Sequence, residues 1–293
     1  MEPLVLAAVP SPFTDAGDLD LSAATTLYRA LLDPADGRGL AGLLVAGTTG
    51  EFPALDDDER LALTTAALAV GGPSRVIAHI GGASARQAIR LGRAAVDAGA
   101  RRVAAITPYY LALDDDGVLD YFREVSAAVL GAGAEEFYAY LFAERTGYTM
   151  PPTVFGRVAA LPGVVGAKLS GGSALQVAEH LAQAPGAQLL CGTDAGLADA
   201  VAAGAAGAIT GLAAAFPRTT LRMAAALAAH GPGSGPVRDA QRDLDRALLA
   251  SGVGGIKTAL AARGTTTAAV RMPVPLPDPE TSTAIAALAG ELD

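Results

Sequence analysis

The sequence predicts an α/β fold, a (β/α)8 barrel of the TIM-barrel class with a C-terminal helical appendage. Three observations predict it. Eight short apolar runs recur along the 293 residues, each followed by a polar or glycine-rich turn and then a stretch whose apolar residues have helical spacing. The runs are apolar almost throughout, as strands are when helices cover both faces of a parallel sheet. Strand and helix alternate strictly, and eight such units close into a barrel.

Taken in order, strands are expected at 4–9 (LVLAAV), 41–46 (AGLLVA), 75–80 (RVIAHI), 101–107 (RRVAAIT), 136–142 (EFYAYLF), 163–169 (GVVGAKL), 187–191 (AQLLC) and 205–210 (AAGAIT). Helical patterns lie between them at about 21–33, 56–70, 84–98, 115–130, 151–160, 173–183, 195–203 and 217–229. The aspartates leading the second of these suit a helix N-terminus, where free backbone N–H groups and the macrodipole favour negative charge. Residues 1–232 make the predicted barrel domain. After His230 the run GPGSGP breaks the chain, and helical patterns resume at 236–251, 254–262 and 280–291, with a turn-rich connector at 264–279. Residues 233–293 are too few to bury a core of their own, so they are expected to pack on the barrel.

Composition narrows the function. A formal charge of −9 disfavours nucleic acid and anionic membranes, leaving small molecules as the expected ligands. No apolar run approaches the ~20 residues that span a bilayer, and the opening MEPLVLAAVPSP lacks the basic leader of a secretory signal. A lone cysteine, Cys191, forms no internal disulfide. A cytoplasmic enzyme is expected. The three histidines, His79, His180 and His230, are scattered without ligand spacing, so no metal is expected. His79 reads as a hydrogen-bonded rim residue and Cys191 as buried and inert.

Only two of the 21 basic residues are lysines, Lys168 and Lys257. In such a barrel the chemistry sits at the C-terminal ends of the strands. Those ends carry GTTGE (47–51), TPYY (107–110), Tyr140 followed by AERTG (143–147), Lys168, GTD (192–194) and TG (210–211). Lys168, with GVVGA before it and LSGG after, would place an amine at the mouth of a packed core, where desolvation favours the neutral form. A neutral amine can attack a carbonyl and form a Schiff base, which arginine cannot do. The GTTGE turn offers hydroxyls and backbone N–H groups to a small carboxylate. Tyr140, in a barrel strand, has a hydroxyl able to shuttle protons.

With these residues laid on successive strand ends, the chain resembles the dihydrodipicolinate synthase/N-acetylneuraminate lyase family of class I pyruvate aldolases. The likeness runs from Ala8-Val9-Pro10 and Phe13, through Gly47-Thr48-Thr49-Gly50-Glu51, Thr107-Pro108-Tyr109-Tyr110, Tyr140, Arg145-Thr146-Gly147, Gly166-Ala167-Lys168 and Gly192-Thr193-Asp194, to Lys257 in a late helix. The resemblance implies a covalent Schiff base on Lys168 with no added cofactor. Thr48 and Thr49 would hold the pyruvate carboxylate. Tyr140 would move protons, linked through Thr48 to Tyr110, which in this family reaches in from a neighbouring subunit; a homo-oligomer, dimer or tetramer, follows. Gly192 and Ile209 complete the expected substrate-binding set. Arg145 corresponds to the arginine that binds aspartate semialdehyde in the synthase branch, which favours a 4-hydroxy-tetrahydrodipicolinate synthase-like reaction.

Departures from the family pattern keep alternatives open. Its usual Tyr-Asn-x-Pro is here Tyr140-Leu141-Phe142-Ala143, and Leu169 follows the lysine where an acidic residue is common. Asp57, Arg60 and Ala83 stand at positions of the lysine-inhibition pocket, so no inhibition by lysine is expected. One alternative is another pyruvate aldolase or a keto-deoxy sugar acid aldolase or dehydratase. Another, from a different class, is a catalytically inactive binding or scaffold homologue, motivated by apolar Leu141 and Leu169 beside the chemistry. Phosphosugar aldolases fit poorly, because the loops after strands 7 and 8 hold no basic residue before Arg218.

Overall fold

A computed structural model describes residues 2–35, 37–193 and 195–293. Eight strands, β1 (Leu4–Ala8), β2 (Gly42–Val45), β3 (Val76–His79), β4 (Arg102–Ile106), β5 (Glu136–Leu141), β6 (Val164–Leu169), β7 (Gln188–Cys191) and β8 (Gly207–Thr210), form a closed barrel in chain order. The strand pairs are parallel, as the alternation of apolar runs and helical stretches predicts. The helices are α1 (Leu21–Leu32), α2 (Asp57–Arg75), α3 (Ala85–Asp97), α4 (Asp115–Leu130), a short α5 (Ala143–Thr146), α6 (Pro152–Ala159), α7 (Ala174–Gln183), α8 (Leu197–Ala202), a short α9 (Leu212–Ala215), α10 (Pro217–His230), α11 (Gly235–Ala247), α12 (Gly252–Ala262) and α13 (Pro279–Leu292).

Helix starts follow the predicted chemistry. Asp56 accepts from the Glu59 N–H at 2.8 Å and the Glu59 carboxylate accepts from the Asp56 N–H at 3.1 Å, a reciprocal cap on α2. The far end of α2 runs past the predicted 56–70. Gly72 takes φ +68°, open to glycine without strain, and lets the chain kink and resume a further turn through Pro73. Strand β5 stops at Leu141, one residue short of prediction, because Phe142 opens α5, and α8 is shorter than its 195–203 pattern.

By internal packing the chain divides into two compact units, Met1–Val76 with Ile209–Asp293, and Ile77–Ala208. In the first, one apolar cluster takes Val5, Leu43 and Val45 from the strands, Leu27 and Tyr28 from α1, and Ile256, Leu260, Ile285 and Leu292 from the C-terminal helices. Those helices therefore share the core of β1 and β2. In the second, β5 and β6 pair with Tyr140 opposite Lys168 and Leu141 opposite Leu169. Gly166 is required there: a Cβ on it would lie 1.9 Å from the Gln188 carbonyl oxygen of the neighbouring strand. At the N-terminal ends of these strands the Tyr138 hydroxyl accepts from Arg102 at 2.8 Å and lies 2.8 Å from the Glu136 carboxylate and from the Gln188 amide oxygen. Burial raises that phenol to about 12. No helix among the described residues is long and apolar enough to cross a membrane.

Candidate active site

In the unit Ile77–Ala208, β6 carries Lys168 and β5 carries Tyr140 at one level of the parallel pair. Side chains alternate across a strand, so Lys168 and Tyr140 share a face. The Lys168 ammonium sits 4.3 Å from the centre of the Tyr140 ring, and both residues are buried. Among the described residues no carboxylate pairs with Lys168. His79 also meets the phenol, the two rings edge-to-face at 5.9 Å and 80°. This corrects the reading of His79 as a rim residue: it is 3% exposed and packed against Tyr140. Gly81 leaves the room, since a Cβ there would come within 2.8 Å of His79 Nε2.

The stack continues toward solvent. Phe142 lies nearly parallel to Tyr140 at 6.2 Å, and the exposed Arg145 guanidinium covers the Phe142 ring at 5.3 Å. Gly192 donates its N–H to the Leu169 carbonyl at 2.7 Å and packs so closely on Ser170 that a Cβ would reach the serine hydroxyl at 2.1 Å. Tyr110 stands apart: it is 93% exposed, on a loop where it takes φ +85°. Asp194 of the GTD stretch lies outside the described residues.

Leu141 and Leu169 do not share the face of Tyr140 and Lys168. One residue on from Tyr140 and Lys168, they point to the opposite face of the pair and line a cavity of about 40 Å³ with Met150, Gln176 and His180. Burial lowers the pKa of His180, whose Nδ1 is 2.7 Å from the Gln176 carbonyl. The two apolar departures from the family pattern thus belong to packing between strands and helices, which removes the observation that motivated an inactive scaffold. Cys191 is buried as expected, with its thiol 3.7 Å from the Thr193 carbonyl.

The other unit holds the turn after β2. Gly47-Thr48-Thr49-Gly50 is bracketed by two non-glycine residues in the left-handed region, Ala46 at φ +53° and Glu51 at φ +55°. Such strain persists only where surrounding contacts over-determine it. The Glu51 and Phe52 N–H groups close the turn on the Thr48 and Gly47 carbonyls at 3.0 and 3.3 Å. Ser11 donates to the Gly50 carbonyl at 2.7 Å. Thr49 packs on Gly211 beyond β8, where a Cβ would meet its Oγ1 at 3.3 Å, and Ile209 is buried in β8.

Glu51 itself is buried against Lys257. The lysine donates to Glu51 Oε1 at 2.5 Å and to the Ala269 carbonyl at 2.7 Å, while Glu51 Oε2 accepts the Arg271 and Met272 N–H groups at 2.8 and 2.7 Å. Arg271 reaches Glu59 with two hydrogen bonds of 2.7 Å, and Lys257 and Arg271 each lie over the Phe13 ring, at 4.2 and 4.4 Å. Burial lowers the Lys257 pKa, with Glu51 opposing. Sequence reasoning placed Lys257 in a late helix and missed this pairing. The available signal was a second lysine in an arginine-biased chain, in a helix of small apolar residues, with a carboxylate in GTTGE needing a partner.

These elements define a closed parallel (β/α)8 barrel with a buried amine and phenol on adjoining strands and a guanidinium beyond Phe142. Relatives identify it as a lyase. The dihydrodipicolinate synthetase family matches residues 3–291, and this chain belongs to that family. It is 32% identical over 292 residues to 4-hydroxy-tetrahydrodipicolinate synthase 1 of Streptomyces coelicolor, covering 98% of this chain and 93% of that one. It is 35% identical over 218 residues to an uncharacterised DapA-like lyase of Chloroflexus aurantiacus, covering 73% and 71%. Among solved structures, a dihydrodipicolinate synthase from Bacillus anthracis superposes with TM-score 0.89 at 23% identity over 100% of this chain and 99% of that one. A monomeric dihydrodipicolinate synthase variant superposes with TM-score 0.88 at 24% identity over 99% and 97%.

Proposed function

We propose that this lyase forms a Schiff base between Lys168 and pyruvate and joins the resulting enamine to an aldehyde, with aspartate semialdehyde as the partner, in the manner of a 4-hydroxy-tetrahydrodipicolinate synthase. The observation that carries the reading is Lys168: buried, against the ring of Tyr140, with no carboxylate partner among the described residues. Its Nζ attacks the keto carbon of pyruvate to give a carbinolamine, and loss of water gives the protonated imine. The imine withdraws electrons, a methyl proton leaves, and the enamine carbon bonds to the aldehyde carbon. Water then hydrolyses the product imine and frees Lys168. Tyr140 serves the proton transfers of imine formation and hydrolysis. Thr48 and Thr49 take the pyruvate carboxylate through hydroxyl and backbone N–H groups. Gly192 and Ile209 line the substrate's path. Arg145, exposed and free to swing from Phe142, takes the aldehyde's carboxylate. No metal or organic cofactor enters this scheme.

A second reading, another aldehyde, is supported by Phe142, whose ring fills the space between Tyr140 and Arg145. We also propose a homo-oligomer, on the strength of Tyr110 and Leu111: two large apolar side chains, 93% and 72% exposed, at a strained loop tip. Sedimentation of the parent and of Tyr110→Ala tests this. For the chemistry, borohydride is added with pyruvate, the modified peptide is mapped, and aldehydes are screened by turnover. A reduced pyruvyl group on Lys168 supports the donor, and turnover with aspartate semialdehyde supports the acceptor. An adduct without that turnover favours the second reading, and no adduct on Lys168 overturns the scheme.

A further inference from the structure

The search for further chemistry leads to the buried network around Glu51, which the scheme above does not use. Two non-glycine residues in the left-handed region flank Gly47-Thr48-Thr49-Gly50, and the Glu51 and Phe52 N–H groups close the turn on the Thr48 and Gly47 carbonyls. The exit of the turn is also anchored through the Glu51 side chain. Its carboxylate receives Lys257 Nζ from α12 and the N–H groups of Arg271 and Met272 from the connector before α13. Its side chain has no exposure and that of Lys257 is 1% exposed. A buried pair of this kind gains little net stability over apolar residues of the same size, so its retention calls for another role, such as fixing one conformation.

We propose that the Glu51–Lys257 pair, with the 269–272 connector, is a positioning clamp that sets the Thr48–Thr49 turn for the pyruvate carboxylate. Glu51 and Lys257 are thus positioning residues, and the C-terminal helices reach the carboxylate site through them. The inference rests on the reading of Thr48 and Thr49 as carboxylate binders. Arg271 extends the clamp by bracing Glu59 at the start of α2 and the Gly17 carbonyl at 2.8 Å, and Thr267 Oγ1 donates to the Phe13 carbonyl at 2.6 Å. The loops after β1 and β2 are therefore tied to one C-terminal strap.

The test uses the full chain carrying Glu51→Gln, which keeps shape and removes charge. Ile285→Ala is the control, opening a cavity in the shared core at α13 without touching the turn. Two readouts are taken below the unfolding temperature: amide hydrogen exchange in a peptide covering 46–52, and the pyruvate KM. In Glu51→Gln we expect exchange of that peptide to rise at least about tenfold and pyruvate KM to rise at least about tenfold, with kcat and aldehyde KM changed less than about threefold. In Ile285→Ala the unfolding temperature falls while both readouts stay within about twofold. Should Glu51→Gln not fold, Glu51→Gln/Lys257→Met, which leaves no uncompensated buried charge, is held to the same expectation. Unchanged exchange overturns the clamp. Raised exchange with unchanged KM reduces the pair to a structural one and overturns the positioning role. If the parent takes no pyruvate at Lys168, the functional reading fails by itself, and the exchange measurement still decides whether the pair holds the turn.

Discussion

The chain's two lysines have nearly the same surroundings by one measure and opposite ones by another. Lys168 is 4% exposed and Lys257 1%, and each lies over an aromatic ring, at 4.3 Å from Tyr140 and 4.2 Å from Phe13. Burial and a ring face therefore do not tell them apart. Partners do: Lys257 is met by the Glu51 carboxylate and the Ala269 carbonyl, whereas no carboxylate among the described residues meets Lys168. The Glu51 carboxylate and the Ala269 carbonyl fix the Lys257 amine in place, whereas the Lys168 amine lies against the Tyr140 ring. The comparison teaches that burial alone does not separate two lysines, and that the partner each one meets does.

The comparison is broken most directly by exchanging the fates of the two lysines. Lys168→Ala is expected to lower turnover by about 10⁴-fold or more, the scale of losing a covalent nucleophile, and to abolish the borohydride adduct. Lys257→Met is expected to keep the adduct on Lys168 while costing about 3–5 kcal/mol in denaturant unfolding, because Glu51 is left buried without its cation. An adduct that moved to Lys257 in Lys168→Ala would sink the distinction. Arg145→Ala sharpens it from the reactive side: this exposed group should matter to substrate and hardly to stability, raising the KM of a carboxylate-bearing aldehyde by about tenfold, near the low end of a charge-assisted hydrogen bond. The smallest effect is a pH dependence at His180. The unfolded chain binds a proton near the ordinary 6.5, and the folded chain does so only at lower pH because burial disfavours the imidazolium. Stability is therefore full above that value and falls as pH drops below it, by up to about 1.4 kcal/mol per pH unit, and His180→Gln should flatten the slope seen in thermal melts.

The barrel was legible because its eight strands are short, apolar and punctuated, whereas the longer stretches between them carry helical spacing. The meeting of Tyr140 and Lys168 was legible for a related reason: once the topology is fixed, the ends of adjoining strands share a level, as their register shows. What could not be read was the direction of neighbouring residues. Leu141 and Leu169 looked like altered site residues because they adjoin Tyr140 and Lys168 in sequence, but the two-residue period of a strand turns them away. His79 ends β3 as expected, but its burial against Tyr140 was not legible, since that contact depends on which face it takes and on the space Gly81 leaves. The Glu51–Lys257 pair was hidden by distance along the chain, as local pattern cannot pair residues so far apart.

That distance also bears on biosynthesis. The groups that satisfy Glu51 come 206, 220 and 221 residues after it. During translation the first two strands emerge early, yet the carboxylate that follows β2 meets its protein partners only after residues 257–272 have been made. A nascent chain halted before Lys257 can pair its first strands but holds neither the cation nor the backbone donors that Glu51 meets in the fold, so the turn after β2 is completed only late in synthesis.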